Sequence, residues 1–155
     1  MADVQRTLLL VKPDGVQRQL VGRVLQRFED RGLKIVGLKL VQTSRELAEE
    51  HYAVHREKPF FTGLVDFITS APLVAAALEG PNAIAIVRAM NGATRPHEAE
   101  PGSIRGDFAV ETAQNLVHAS DSPENATAEL ALWFRPDELM GYEREIDRWV
   151  LAPEE

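Results

Sequence analysis

Short apolar segments alternate along the chain with amphipathic segments whose apolar residues recur every three or four positions. Apolar runs and alternating patterns predict strands, and spacings of three or four predict helices that pack on them. Predicted strands cover residues 7–11, 35–41 and 71–78, and a short last strand contains Val117. Helical spacing covers residues 21–28, 47–52, 60–68, a helix opening at Pro81 and running to Met90, and residues 126–134.

Individual residues refine this pattern. Val36, Leu38 and Leu40 alternate along the second strand, so we expect them on one face of it. Thr43 and Glu46 have the spacing of a capping box and predict that a helix begins there. The segment 12–15, Lys-Pro-Asp-Gly, predicts a turn directly after the first strand.

The order of elements predicts the fold class. Strand, helix, strand, helices, strand, helix, loop, strand and helix reduce to β-α-β-β-α-β once the extra helices are set aside. This order is typical of a ferredoxin-like α+β sandwich, an antiparallel sheet covered by helices. A long loop from Gly92 to Gly106 is inserted before the last strand, and loops of that length are usually functional. The length of 155 residues predicts a single domain over residues 1–155.

Composition narrows the function classes. The chain has no cysteine, so disulfides, thiolate metal sites and a cysteine nucleophile are excluded. No apolar run has the length of a membrane span and no leader pattern opens the chain, so we expect a cytoplasmic protein without a membrane partner. The net charge is −7, which makes nucleic acid an unlikely partner. An anionic substrate would require the few cations to be concentrated in one pocket.

The most informative segment is residues 115–121, Asn-Leu-Val-His-Ala-Ser-Asp. The apolar residues Leu116 and Val117 precede His118, and a turn of small and polar residues follows it. Ser122, Pro123 and Glu124 then have the features of a helix N-terminus: a capping serine, a first-turn proline and an acid. His118 at this position can be a nucleophile, a proton shuttle or a partner in an anion site.

Phosphate binding would depend on side chains. Neither common glycine-rich phosphate loop is present. The candidate cations are Lys12 at a strand end, Arg88 on a helix and Arg105 beside the long loop. Each taken singly is more often a surface charge than a ligand.

Other candidate sites are weaker. His51 and His55 have helical spacing that suits a metal site, but no third ligand suggests itself, so a solvated helix face is the better interpretation. Ser120 and Asp121 stand beside His118, yet three neighbours on one turn cannot easily form a hydrolase triad. The aromatic residues of the tail, Trp133, Tyr142 and Trp149, are predicted to dock the chain end.

Three motifs together carry a family resemblance. Residues 12–15 (Lys-Pro-Asp-Gly), 101–107 (Pro-Gly-Ser-Ile-Arg-Gly-Asp) and 115–121 resemble the motifs of nucleoside diphosphate kinases in sequence and in spacing. The likeness extends from Arg6 to about Trp149. It implies an enzyme that transfers the γ-phosphoryl group of a nucleoside triphosphate to a nucleoside diphosphate through a phosphohistidine, by a ping-pong mechanism and with broad base specificity.

The resemblance also implies roles for individual residues. His118 would be the catalytic nucleophile. The substrate-binding residues would be Lys12, Phe60, Arg88, Thr94, Arg105 and Asn115, with Phe60 stacking on the base and Lys12 and Asn115 reaching the sugar hydroxyls. Tyr52, Ser120 and Glu129 would orient His118 and its surroundings. Mg²⁺ would be the cofactor, held mainly through the substrate phosphates, with no protein metal site.

The partners implied are nucleoside tri- and diphosphates and further copies of the chain. The tail through Trp149 resembles hexameric members more than tetrameric ones. Two other classes stay open at this point. A nucleotide-binding module would keep the pocket without the chemistry, and a histidine-dependent hydrolase would release phosphate without a diphosphate acceptor.

Overall fold

A four-stranded antiparallel sheet forms the centre of the molecule in the computed structural model, which describes residues 3–153. The strands are β1 (Val4–Val11), β2 (Lys34–Val41), β3 (Leu73–Pro81) and β4 (Val117–Ala119). Their order across the sheet is β2-β3-β1-β4, so β1 and β3 are central. The predicted ferredoxin-like α+β fold is confirmed. The terminal residues 1, 2, 154 and 155 of the predicted domain lie outside the described residues.

Eight helices accompany the sheet within residues 3–153. They are α1 (Pro13–Gln17), α2 (Val21–Asp30), α3 (Arg45–His51), α4 (Phe61–Ile68), α5 (Ala83–Asn91), α6 (Ile104–Phe108), α7 (Pro123–Trp133) and α8 (Asp147–Val150). Short 3₁₀ turns connect several of them. None of these helices is long and apolar enough to cross a membrane.

The core lies on both faces of the sheet. Strand β1 alternates between two apolar clusters: Leu9 and Val11 pack with α2 and α5, whereas Leu8 and Leu10 pack with α3, α4 and α7. Because successive side chains of a strand point to opposite faces, a central strand covered by helices on both sides must be apolar throughout. This arrangement explains the uninterrupted apolar run that ends β1. It also leaves the end of β1, at Lys12, between the two helical layers.

The face predicted for the second strand is wrong. Val36 is buried, but Leu38 and Leu40 are 52 % and 68 % exposed. A register irregularity lies between Ile35, opposite Leu78, and Gly37, opposite Ala77, so Val36 is an extra residue in the ladder. One inserted residue moves every following side chain to the other face. Leu38 and Leu40 therefore lie on the face opposite Val36, along an edge strand.

Three local boundaries also differ from prediction. Ser44, not Thr43, caps α3 and accepts a hydrogen bond from the Leu47 amide at 3.1 Å, while Thr43 is buried. Pro81 ends β3 instead of opening a helix, and α5 begins at Ala83. The predicted turn after β1 is a short helix, α1. Serine and threonine can both cap a helix, so the capping-box spacing alone did not identify Ser44 as the cap.

Candidate functional site

A cleft of about 980 Å³ opens beside the ends of β1, β4 and α5. Most of the residues singled out in the sequence line it, although they come from distant segments. The lining includes Lys12, Tyr52, Phe60, Arg88, Thr94, Arg105, Asn115 and His118. Glu129 and Ser120 do not line it and lie behind His118 in the fold. The structure therefore brings His118, three cations and the exposed ring of Phe60 to a single cavity.

His118 lies in the middle of β4, opposite Leu10 of the central strand β1. Its Nε2 atom contacts a carboxylate oxygen of Glu129, which projects from α7. A carboxylate at Nε2 favours a proton on that nitrogen and leaves the Nδ1 lone pair free. The Glu129 contact thus fixes the orientation of the His118 ring and, in the neutral tautomer, leaves one nitrogen unshared.

The backbone before His118 makes a γ-turn. The Val117 amide donates to the Asn115 carbonyl at 2.8 Å, across Leu116, whose φ is +72°. A buried leucine rarely adopts a positive φ, and such residues cluster at functional sites. Two bonds hold the turn: the Lys12 amide donates to the Leu116 carbonyl at 2.8 Å, and the Leu116 amide donates to Asp14 Oδ2 at 3.0 Å. The end of β1 thereby determines where β4 begins.

Arg105 fastens the same turn from the other side. Its guanidinium donates to the carbonyl oxygens of Asn115 at 3.1 Å, Val117 at 2.6 Å and Gly92 at 2.8 Å. Arginine has more N–H groups than these three bonds use, so the remainder can face the cleft. Burial, with a smaller effect of Arg88, lowers the pKa of Arg105 to about 10. The group stays charged at neutral pH.

Lys12 reaches into the floor of the cleft. Its ammonium donates to Oδ1 of Asn115, whose amide in turn donates to the Thr94 carbonyl at 3.0 Å. Burial is the largest influence on this lysine and lowers its pKa to about 8. Asp14 partly offsets that effect, and Arg105 adds to it. A chain of hydrogen bonds therefore links β1, the segment before β4 and the long loop.

The remaining predicted residues occupy different positions around the cleft. Phe60 is 51 % exposed at its mouth, and Arg88 lies on α5 with Thr94 just beyond. Tyr52 is partly buried, and burial raises its pKa to about 12. Ser120 is fully buried, and its hydroxyl accepts from the Leu8 amide at 3.4 Å. It supports β4 against β1 and does not form a triad with His118.

The interpretation of His51 as part of a solvated helix face is wrong. Its ring is partly buried, lies 4.6 Å from the His118 ring centroid, and accepts a hydrogen bond from the indole of Trp133. Trp133 itself is buried on α7, in agreement with its predicted docking role, whereas Trp149 is 80 % exposed and the same prediction is wrong for it. Sequence reasoning missed the contact between His51 and Trp133. The signal available was the spacing of four between Glu129 and Trp133, which places both on one face of α7.

Two histidines and a glutamate, residue types that commonly bind metal ions, lie close together. Donor atoms of His51, His118 and Glu129 all lie within 4.8 Å of one another. The indole N–H of Trp133 engages Nδ1 of His51, so the neutral His51 ring carries its proton on Nε2 and offers no lone pair there. The Glu129 carboxylate already contacts His118. We therefore interpret the three residues as a hydrogen-bonded support and not as a metal site.

The chemistry available to the cleft follows from these positions. Lys12, Arg88 and Arg105 supply positive charge for a polyanion, and His118 offers an unshared nitrogen. A nitrogen with a free lone pair can attack either a phosphorus or a carbonyl centre. Three cations in the same cleft favour the phosphorus centre, because they can neutralise the negative charge of a phosphate group. The cleft can therefore bind a polyphosphate beside a nucleophilic nitrogen.

Comparison with known proteins agrees with this chemistry. A family model described as nucleoside diphosphate kinase matches residues 5–139. Curated nucleoside diphosphate kinases are 58 % identical in Thermomicrobium roseum, over 96 % of this chain and 100 % of the relative, and 55 % identical in Carboxydothermus hydrogenoformans, over 95 % and 99 %. These relatives match over essentially their whole lengths.

Solved structures show the same likeness. A halophilic nucleoside diphosphate kinase from Halobacterium salinarum in complex with CDP superposes with a TM-score of 0.93 at 47 % identity, over 96 % of this chain and 99 % of that one. A nucleoside diphosphate kinase family protein from Babesia bovis superposes with a TM-score of 0.92 at 46 % identity, over 94 % and 99 %.

The three hydrogen bonds from Arg105 to backbone carbonyls, which we call the Arg105 clasp, predict an effect on stability. Arg105→Lys keeps a positive charge but cannot make three directed bonds to carbonyls. Leaving buried carbonyl oxygens unpaired should lower the free energy of unfolding by about 3 kcal/mol. Chemical denaturation measures the change, and Arg95→Lys, at an exposed arginine, is the matched control. Equal stability of the two variants would contradict the role of the clasp.

Proposed function

The chain belongs to the nucleoside diphosphate kinase family and is thus a nucleotide-binding phosphotransferase, and from that premise we propose that His118 carries the phosphoryl group between its two nucleotide substrates. The observation that carries the proposal is the contact between Nε2 of His118 and Glu129. It leaves Nδ1 as the ring nitrogen that is free to attack.

The transfer occurs in two halves. Nδ1 forms a bond to the γ-phosphorus of a nucleoside triphosphate while the bond to the β–γ bridging oxygen breaks, and a nucleoside diphosphate leaves. A second nucleoside diphosphate then attacks the phosphohistidine through a terminal oxygen of its β-phosphate. Neutral imidazole is nucleophilic near pH 7 and needs no separate base. Glu129 stabilises the positive charge that the ring acquires when Nδ1 attacks. A covalent intermediate predicts ping-pong kinetics.

The phosphates are held by cations that converge on the cleft. We assign this role to Lys12, Arg88 and Arg105, with Thr94 as a neutral donor. The proximity of the charges supports the assignment, since Arg88 lowers the pKa of Arg105, and Arg105 lowers that of Lys12. Mutual repulsion between close cations is relieved when a polyanion binds. Phosphoryl transfer requires mainly such alignment and neutralisation.

The nucleoside lies toward the mouth of the cleft. Phe60 stacks on the base, and its exposure at the mouth supports this role. Stacking on an aromatic face is tolerant of base identity, in agreement with broad base specificity. Asn115 and Lys12 reach the sugar hydroxyls, and Tyr52, Ser120 and Glu129 orient His118 and its surroundings.

Mg²⁺ is the proposed cofactor, and it neutralises phosphate charge when bound. The donor set of the cleft supports binding through the substrate. Among residues 3–153, those that line the cleft include no carboxylate. Mg²⁺ is commonly held by substrate phosphates with few protein ligands. Lys12, Arg88 and Arg105 therefore hold the ion indirectly, through the phosphates that they bind.

The assembly and location are also proposals. Residues 1–155 act as one functional unit in a homo-oligomer, a hexamer in preference to a tetramer. The edge strand β2 supports self-association, because it lies at the edge of the sheet and presents Leu38 and Leu40 to solvent. A cytoplasmic location agrees with nucleotide substrates and the absence of cysteine.

Labelling tests the role of His118. The protein incubated with γ-labelled ATP should acquire an acid-labile label, and His118→Ala should remove it and lower the rate of transfer by about 10⁴-fold or more. His97→Ala, at an exposed histidine of the long loop, is the control and should label normally. Label that survives in His118→Ala would contradict the proposal. Phosphate release without a diphosphate acceptor would indicate a hydrolase instead.

The low pKa of Lys12 predicts an alkaline limit to activity. Its pKa of about 8 means that the ammonium is charged below this pH and neutral above it, so phosphate affinity should fall as pH rises. The ratio kcat/KM, which reports groups of the free enzyme, should decrease about tenfold per pH unit above pH 8. Lys12→Arg should move this limit upward, since arginine stays charged. A wild-type profile that is flat to pH 9.5 would contradict the assignment.

Sedimentation tests the assembly. Analytical ultracentrifugation should find hexamers, and replacing Leu38 and Leu40 with serine should weaken the assembly because both lie exposed on the edge strand. Val54→Ser, at an exposed residue away from β2, is the control. A wild-type monomer at micromolar concentration would contradict the proposal.

A further inference from the structure

A buried tryptophan and a histidine form a pair behind the nucleophile. The indole Nε1 of Trp133 lies 3.1 Å from Nδ1 of His51. An indole N–H can only donate, so Nδ1 of His51 must accept. A neutral imidazole that accepts at Nδ1 carries its proton on Nε2. Trp133 thereby selects one tautomer of His51.

The His51 ring packs against the rings around it. Its centroid lies 4.6 Å from that of His118, with the ring planes at 79°. It makes similar edge contacts with Tyr52, at 4.7 Å and 73°, and with Trp133, at 5.4 Å and 81°. Edge-to-face packing has a preferred orientation. The His118 ring is therefore restrained at two points, by the Glu129 carboxylate at Nε2 and by His51 against its side.

Both restraints depend on α7, Glu129 directly and His51, the last residue of α3, through its hydrogen bond with Trp133. Glu129 and Trp133 are four residues apart, so they project from the same face of the helix. Glu129 contacts His118 directly, whereas Trp133 contacts it through His51. A shift of α7 would thus move both supports of His118 together.

We propose that Trp133 and His51 form a positioning pair that holds the His118 ring in the orientation for phosphoryl transfer. The inference deepens the proposed function and depends on it for the role of His118. His51 does not line the cleft. It acts through His118, and Trp133 acts through His51.

The electrostatic surroundings of His51 are consistent with this role. Burial is the largest influence on its pKa, which lies well below the usual range, and His118, Lys12 and His55 lower it further. The groups that face it are thus His118 from β4, Lys12 from the position after β1 and His55 from the turn after α3, with Glu129 of α7 and Tyr52 also adjacent. A neutral His51 adds no charge that would oppose the positive charge developing on His118 during attack.

A matched pair of tryptophan substitutions tests the hydrogen bond. Trp133→Phe keeps an aromatic ring but loses the N–H donor, and Trp149→Phe makes the same change at an exposed position. Trp133→Phe should lower kcat about tenfold and change KM for nucleotides less than about twofold, because orientation is lost and substrate contacts are kept. As the pH is lowered, the variant should lose activity at a higher pH than the wild type does, because His51 without the indole donor takes up a proton more readily.

Trp149→Phe should match the wild type in kcat, in KM for nucleotides and in its pH profile. Circular dichroism and thermal unfolding establish that both variants are folded. If a folded Trp133→Phe has the wild-type kcat and pH profile, the positioning pair is overturned. If it raises KM with kcat unchanged, the pair affects binding and the inference is likewise overturned.

Two substitutions at His51 give a test that does not depend on Trp133→Phe folding. His51→Asn places an amide oxygen where Nδ1 accepts, whereas His51→Phe keeps a ring without an acceptor. His51→Asn should retain several-fold more kcat than His51→Phe. The reverse order, or equal rates, would overturn the role of the hydrogen bond.

Nuclear magnetic resonance of the ¹⁵N-labelled wild type measures the tautomer directly. His51 should show a proton on Nε2 and stay neutral at pH 6. A proton on Nδ1, or titration near pH 6.5, would overturn the inference. Because this readout involves no transfer reaction, it separates the two proposals. A wild type that fails to label at His118 overturns the proposed function, whereas normal labelling with an unaffected Trp133→Phe overturns the positioning pair alone.

Discussion

The strained turn at Leu116 is the constraint on which the site depends. The turn places His118 in β4, and its backbone groups are used by partners from elsewhere in the chain. Asp14 and the Lys12 amide hold Leu116, while Arg105 holds the carbonyls on either side. A positive φ at a non-glycine residue costs about 1–3 kcal/mol. Bonds to charged groups are stronger than neutral ones, so Asp14 and Arg105 can offset that cost.

The same residues connect the fold to the chemistry. Lys12 follows the last residue of β1, so its backbone aligns β4 while its side chain reaches the cleft floor. Arg105 likewise fastens the turn and presents charge to the cleft. Such double use explains how a chain with a net charge of −7 maintains a cationic pocket. The side chains of Lys12 and Arg105 are held by the Asn115 side-chain amide and by backbone carbonyls rather than by direct bonds to carboxylates.

The sequence was informative where one local signal determines the structure. The apolar run of β1, the Ser122 cap of α7 and the short strand at Val117 all agree with the fold. The face of β2 was not predictable, because an extra residue at Val36 reverses the alternation without an obvious mark in the sequence. His51 was misjudged for a different reason. Its neighbours His118 and Trp133 come from distant segments, and helical spacing alone cannot reveal them.

The charges around His118 are divided between its two sides. The cations Lys12, Arg88 and Arg105 line the cleft, and the carboxylate of Glu129 contacts His118 without lining the cleft. A carboxylate in the cleft would repel the substrate, and a cation behind the ring would oppose attack by its nitrogen. The burial that lowers the pKa of His51 and keeps it neutral fits this division, since a charged imidazole would lie on the wrong side. Because Glu129 already supplies the negative charge behind His118, a second support there must not add a positive charge, and the contact between the Trp133 indole and the neutral His51 ring meets this requirement.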